Sequence, residues 1–393
     1  MTMDGSFEEK AGLCALNKIF GFSPRQALRL LETFGSAREA FLRPRDEIER
    51  VLGPGAGEKT LSQLSWSAFE SAAIELEGLE GKGCTFIGIG EDGYPSLLAE
   101  CDDPPLGLYY RGVSPPEEVF DGPPAIAVIG TRNLTSYGAD WCERIVSAMS
   151  GTEVRPVVVS GLALGVDVTA HRTALDLGIP TVAVMATGID SIYPGANRGT
   201  GERIAATPGC ALVTDYPPGT TAMPVNFLRR NRIIAGISRS TILVESRIRG
   251  GGMMTARLAA SYDRDVFALP GRVDDPVSQG CNLLIRENLA ESIGGLGELM
   301  EKLGLGSAKG ASREDFEAEV RSHYQGLTTQ EDSARIARLA RTVKACRGIS
   351  MDELCTKLDL DYSEVGRIVT MLECDGFISV DLLQHCSARM IKR

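Results

Sequence analysis

Two kinds of apolar periodicity divide the chain. Through residues 1–80 apolar positions recur at helical spacing, as in LNKIFGFSPRQALRLLETFGSAREAF, which predicts a packing of small helices. Ser23 before Pro24 is an N-cap signal with proline at the first helical position. The turn Gly53-Pro54-Gly55-Ala56-Gly57 gives this part a SAM or helix-hairpin-helix character. Lys59 is the only basic residue close to that turn, so a helical packing or interaction module is the better reading.

From Ala125 the pattern changes. Short apolar runs at Ala125–Ile129, Val157–Val159, Thr181–Ala186, Leu212–Thr214, Thr241–Val244 and Asp265–Leu269 read as buried strands, the Thr241–Val244 run being β-branched. Between them, Tyr137–Met149 and about Asp167–Leu177 read as helices. Such alternation predicts an α/β fold, a doubly wound parallel sheet over 81–290. Its ligand crevice lies outside the carboxyl ends of the strands. Small and polar residues follow nearly every strand: Gly130-Thr131-Arg132, Ser160-Gly161, Thr187-Gly188, Glu245-Ser246 and Pro270-Gly271.

Residues 291–330 lose the pattern and read as a linker. After it, Ile336–Cys346, Met351–Leu358 and Ser363–Asp375 read as three helices, with Ser350 as an N-cap, and Gly376–Val380 as a strand. This predicts a winged-helix domain over 331–393. Its presumed recognition helix is not basic, since Arg367 stands against Glu364, Glu373 and Asp375. A protein partner fits that helix at least as well as a DNA groove.

Charge alters this picture locally. The 393 residues carry a formal net charge of -11, which argues against coating duplex DNA with the whole surface but leaves room for a basic groove. Asn226–Gly252, NFLRRNRIIAGISRSTILVESRIRGGG, runs against that background. It holds Arg229, Arg230, Arg232, Arg239, Arg247 and Arg249 with a single acid, Glu245. Arginines beside exposed backbone N–H groups at a strand's end suit phosphate oxygens. The competing reading is a solvated basic face, with Arg232 in a structural ion pair with an acid such as Asp215.

Other chemistries find little support. No apolar run approaches the roughly 18 residues of a membrane span, and the opening MTMDGSFEEK is acidic where a signal peptide is basic. The ten cysteines lack any C-x-x-C and read as reduced thiols of a cytoplasmic protein. His171, His323 and His385 are far apart, so neither a metal nor a cofactor is expected. Gly88-Ile89-Gly90-Glu91-Asp92-Gly93 matches G-x-G-x-x-G, but Tyr94-Pro95 follows where a helix must open, so it reads as a turn. No P-loop string is present.

The strings IAVIGTR, SGLALGVDVTAH, TVAVMATGIDSIYPGANR, NFLRRNRIIAG, GGGMMTARLA, DVFALPG and QGCNLLI fall in the order found in the DprA/Smf family of DNA-processing proteins. The resemblance covers about Ala125 to Leu289, and the flanking domains also look like that family. It implies an extended Rossmann-like fold, a homodimer, and a cytoplasmic single-stranded DNA-binding protein without a catalytic step. The family receives incoming single strands in natural transformation and helps load the RecA recombinase. By resemblance Arg132 holds phosphate, and Ser160 and Gly161 form the next loop. Leu164 stands where the family usually has a basic or polar residue. Asn226 and Phe227 replace a frequent His-Phe, with Phe227 placed to stack on a base. Arg229, Asn231 and Arg232 match R-x-N-R, with Arg230 between them. Arg249 and Gly251 belong to the loop where Gly250-Gly251-Gly252 replaces Ser-Gly-Ser. About Thr255 to Leu269, read as an edge helix and strand, is the expected dimer surface.

An enzymatic alternative remains on the same fold, cleavage of a nucleotide's glycosidic bond. Distant Rossmann relatives do this with a PGG-x-GT-x-x-E loop, which this chain lacks. Asp215 and Glu245 at strand ends are its candidate carboxylates, and orienting arginines or backbone N–H groups is their simpler role.

Overall fold

Five helices open the chain: α1 (Gly5–Phe20), α2 (Pro24–Phe34), α3 (Arg45–Leu52), α4 (Glu58–Gln63) and α5 (Trp66–Glu80). Pro24 starts α2, but Ser23 makes no side-chain cap bond. Helix α2 stops at Gly35, which has φ 78° and sends its N–H to the Leu31 carbonyl. That left-handed stop suits a residue without a Cβ. Leu16, Leu30 and Phe69 form the buried centre of these helices. The computed structural model describes residues 5–53, 57–306, 315–346, 348–381 and 384–388, so Pro54–Ala56 of the glycine-rich turn lie outside it. The chain forms two units, 1–309 and 310–393.

The rest of the first unit is a sheet with helices on both faces. In order come β1 (Thr85–Gly88), α6 (Ser96–Ala99), β2 (Gly107–Arg111), α7 (Pro116–Phe120), β3 (Ala125–Ile129), α8 (Ser136–Ser150) and β4 (Val157–Ser160). Then follow α9 (Val166–Asp176), β5 (Thr181–Val184), α10 (Arg198–Ala206), β6 (Ala211–Thr214), α11 (Pro224–Ile237) and β7 (Ser240–Leu243). Last are α12 (Gly251–Ser261), β8 (Asp265–Ala268), α13 (Gln279–Arg286), β9 (Glu291–Ser292) and α14 (Leu296–Lys302).

The spatial order is β1-β2-β6-β5-β4-β3-β7-β8-β9. Strands β3 to β9 are mutually parallel, and β1 and β2 add an antiparallel edge. The side-chain period of two explains the two cores. Ile126 and Val128 join Ile145 and Met149 of α8, whereas Ala127 and Ile129 join Ile233 and Ile237 of α11. After β6 the chain returns through α11 to the far side of β3, so the strand order reverses between β3 and β7. That reversal is where such sheets bind ligands.

Two expectations change. Residues 291–306 are not a connector, because β9 extends the sheet and α14 buries Leu299 and Met300 in the α8 core. Residues 307–314 of the expected linker lie outside the described residues. Strand β8 is not an edge, since β7 and β9 flank it. The Gly88–Gly93 segment is a turn, as expected, with φ 87° at Gly90 and 79° at Gly93.

The second unit contains α15 (Asp315–Tyr324), α16 (Gln330–Ala345), β10 (Ile349–Ser350), α17 (Met351–Leu358), α18 (Tyr362–Cys374), β11 (Ile378–Val380) and β12 (His385–Ala388). Its sheet order is β10-β12-β11, antiparallel throughout, which gives helices followed by a wing. Helix α15 again replaces expected linker, with Val320 and Tyr324 buried. Ser350 and Glu353 form a capping box on α17. Asp361 caps α18 by accepting the Glu364 N–H at 2.9 Å.

Candidate nucleic-acid interface

Outside the carboxyl ends of β3 and β7 lies a crevice of about 580 Å³. The loop after β3 carries Arg132 and is fixed from two sides. Thr131 donates its N–H to the Glu245 carbonyl at 2.7 Å, and its own carbonyl accepts from Val166 N–H at 3.2 Å. The buried Glu245 carboxylate accepts the Thr135 N–H at 3.0 Å and the Thr135 hydroxyl. This acid therefore orients the Arg132 loop and the start of α8.

Arg132 is exposed, and its guanidinium carbon stands 4.9 Å from the centroid of the Phe227 ring. The Tyr193 ring lies 5.6 Å beyond Phe227, tilted by 58°. From the β7 side come Arg247, Arg249 and the first turn of α12, all lining the crevice. Arg132, Arg247 and Arg249 form no ion pair among the described residues. The first N–H groups of a helix have no intrahelical partner and attract anions. Gly252 allows α12 its close approach, since a Cβ there would stand 2.8 Å from Leu243 Cδ1 and 3.2 Å from Gly130 Cα. Asn231 lines the same crevice, its amide nitrogen 3.5 Å from the Gly251 carbonyl oxygen.

The other arginines have internal partners. Arg229 and Arg232 each donate to Asp215 Oδ2 at 2.9 Å, with side chains only 11% and 7% exposed. Arg232 also donates to the Asp103 carbonyl. Arg229 lies between the Phe22 and Tyr216 rings, at 4.4 and 5.2 Å. Asn17 donates to the Asp215 carbonyl at 2.9 Å and accepts the Leu106 N–H at 3.2 Å. Together these groups tie the N-terminal helices to α11. Arg229 and Arg232, expected at the ligand, are absent from the crevice lining, and Arg232 makes the ion pair with Asp215 that was its competing reading, joined there by Arg229.

Arg230 floors the crevice and is buried. Burial pulls its guanidinium down to about 10, nearby Asp167 opposes that pull, and Arg132 adds to it. Asp167 offsets charge at a distance, because no ion pair within 4.0 Å joins the two. A Cβ on Gly161 would overlap this guanidinium. The donors of that loop are engaged as well. Ser160 gives its hydroxyl to the Val128 carbonyl at 2.7 Å, and Gly161 its N–H to Asp167 at 3.2 Å. Asn226 is also buried, its amide shared between the Ala186 and Thr221 carbonyls at 3.3 Å each. Ser160, Gly161 and Asn226 therefore shape the site from beneath instead of facing into it.

Of the residues singled out in sequence, Arg132, Phe227, Arg230, Asn231, Arg249 and Gly251 come together around one crevice. Sequence reasoning missed Tyr193 as a site residue, and it left Arg247 among the arginines without assigning it a role. The Tyr193 signal was an aromatic in the polar loop after β5. Asp215 and Glu245, the carboxylates considered for hydrolysis, are both buried and engaged.

An open, mostly parallel sheet with a basic crevice at its switch point defines a Rossmann-like ligand-binding protein. The family model for DNA recombination-mediator protein A matches residues 85–304. Protein Smf of Synechocystis is 34% identical over 303 residues, 75% of this chain and 73% of that protein. DNA processing protein DprA of Streptococcus pneumoniae is 39% identical over 197 residues, 50% of this chain and 67% of the relative. The X-ray structure of DNA processing protein A from Streptococcus pneumoniae aligns with a TM-score of 0.62 and 29% identity, covering 77% of this chain and 99% of that one. This chain belongs to the DNA recombination-mediator protein A family. Among the described residues no helix is long and apolar enough to cross a membrane.

Proposed function

We propose that the crevice between β3 and β7 binds single-stranded DNA and that the chain acts there as a recombination mediator. The observation that carries this is three arginines without an ion pair among the described residues, Arg132, Arg247 and Arg249, lining one crevice with the α12 N-terminus and the Phe227 ring. Guanidinium groups and helix N–H groups address phosphates. An aromatic face accepts any base, which a flexible single strand exposes. The DNA-processing names of the relatives support the same ligand.

The resemblance extends the proposal. The bound strand is protected, RecA is the recombinase loaded on it, the working form is a homodimer in the cytoplasm, and no catalytic step occurs. Fluorescence anisotropy with labelled oligo-dT and a duplex, at two salt concentrations, tests the core of this. Oligo-dT should bind tighter than duplex, and more weakly at high salt. Equal affinity for both, or indifference to salt, would count against it. Hydrolysis of nucleotides is disfavoured because Asp215 and Glu245 are engaged. Release of free base from nucleoside monophosphates would restore that reading.

A further inference from the structure

Resting on the single-strand reading, we infer that the crevice sorts the strand onto two walls, with Tyr193 as an outer platform for its bases. The walls differ in chemistry. Around Tyr193 and Phe227 the lining adds Ala163, Ala222, Pro224 and Leu228, with Arg132 standing over the Phe227 ring and Asp167 and the buried Arg230 also on the lining. Toward β7 it is Arg247, Arg249 and the glycines that open α12. A single strand carries the same division, with flat apolar faces on one side and phosphates on the other.

Tyr193 is 48% exposed, and its hydroxyl makes no hydrogen bond among the described residues. Leu228, another residue of the lining, is also 48% exposed. Water is a poor neighbour for so much apolar surface next to a cationic rim. The ring continues a ladder of planar groups, Arg132 over Phe227 at 4.9 Å and Phe227 next to Tyr193 at 5.6 Å. Guanidinium planes and aromatic rings both stack on unpaired bases. Paired bases hide their faces, so a duplex reaches only the cationic wall. An acidic peptide would satisfy the arginines but leave the planar ladder without a flat partner.

The test compares oligo-dT with a strand of the same length in which abasic sites replace the thymidines. Wild-type protein should bind oligo-dT more tightly than the abasic strand. Tyr193→Leu should weaken oligo-dT binding about tenfold, leave its salt slope unchanged, and leave abasic binding unchanged. Tyr193→Phe should keep wild-type affinity, because the ring is retained. Equal loss on both strands, or no loss with leucine, overturns the platform while leaving the single-strand reading intact. Wild-type protein that binds neither strand overturns that reading, and the platform with it.

Discussion

Arg132 and Arg232 lie 100 residues apart in sequence and in opposite environments. Arg132 is exposed, with no ion pair among the described residues, on a loop that Glu245 holds in place. Arg232 is buried against Asp215, together with Arg229. The contrast repeats within α11. Arg229 and Arg232, three residues apart, share the face that meets the N-terminal helices. Phe227 and Asn231, four apart, share the face that meets the crevice. One helix thus works as a latch on one side and a ligand wall on the other. Guanidinium chemistry is the same throughout, and the nearest carboxylate decides which role each arginine has.

The sharpest way to break this contrast is Arg232→Ala. Removing one partner of a buried pair costs about 3–5 kcal/mol. Asp215 would keep only Arg229, and its Oδ1 already lacks a partner. Urea unfolding should therefore move to a clearly lower midpoint, while protein that remains folded binds oligo-dT as before. A normal midpoint with weakened DNA binding would reverse the assignment. Arg132→Ala should do the opposite. Hydrogen bonds to charged groups contribute about 1.5–3 kcal/mol, so affinity should fall on the order of 10- to 100-fold. The salt slope should shrink by about 0.7 for the lost phosphate contact. The unfolding midpoint should scarcely move, because the side chain is exposed.

The buried group also makes a pH prediction. His171 is buried, with Nδ1 2.7 Å from the Thr181 hydroxyl. Burial first, and the Arg230 charge second, pull its imidazole down to about 3. In the unfolded chain a histidine titrates near 6.5, at about 6.5 by the usual reference. Below that pH the unfolded chain takes up a proton that the native one refuses. The stability contributed by neutral His171 is complete above pH 6.5 and is lost as pH falls toward 3, at about 1.4 kcal/mol per pH unit. Asp167, raised by burial, has the opposite sign over its own window, so the difference between wild type and His171→Gln isolates the histidine. Urea unfolding at pH 7 and pH 5 should show a flatter dependence in the variant. Parallel curves would mean that the imidazole is not held neutral.

How much of this was legible in the sequence follows from the same physics. Strands β3 to β8 showed as short apolar runs because nearly all of their residues are buried on both faces. Strands β1, β2 and β9 did not. β1 and β2 each include a glycine, and β9 is two exposed residues. The arginine block was legible as a charge anomaly but not as two faces. Separating Arg229 and Arg232 from Phe227 and Asn231 requires the helical phase of α11, and Asp215 reaches them only through the fold. The competing ion pair named the right carboxylate because Asp215 directly follows a strand. Tyr193 stayed hidden because a loop aromatic announces exposure only once its neighbours are placed.

The smallest expected effect refines the contrast by adding a cation. Leu164 is 46% exposed on the loop after β4, next to Ala163 of the crevice lining. Gly165, with φ 79°, packs that loop against the Arg132 loop, since a Cβ there would crowd the Thr131 carbonyl. A lysine at 164 would stand in solvent with no buried acid to claim it. Leu164→Lys should therefore raise oligo-dT affinity a few-fold, on the order of 1 kcal/mol or less for a solvated charge. It should also steepen the salt slope by about 0.7. Stability should stay within about 0.5 kcal/mol, as for other surface substitutions. A gain in affinity without a steeper slope would place the effect somewhere other than a phosphate. No gain at all would mean that the strand leaves the crevice before it reaches this loop, and that the cationic wall toward β7 holds the backbone alone.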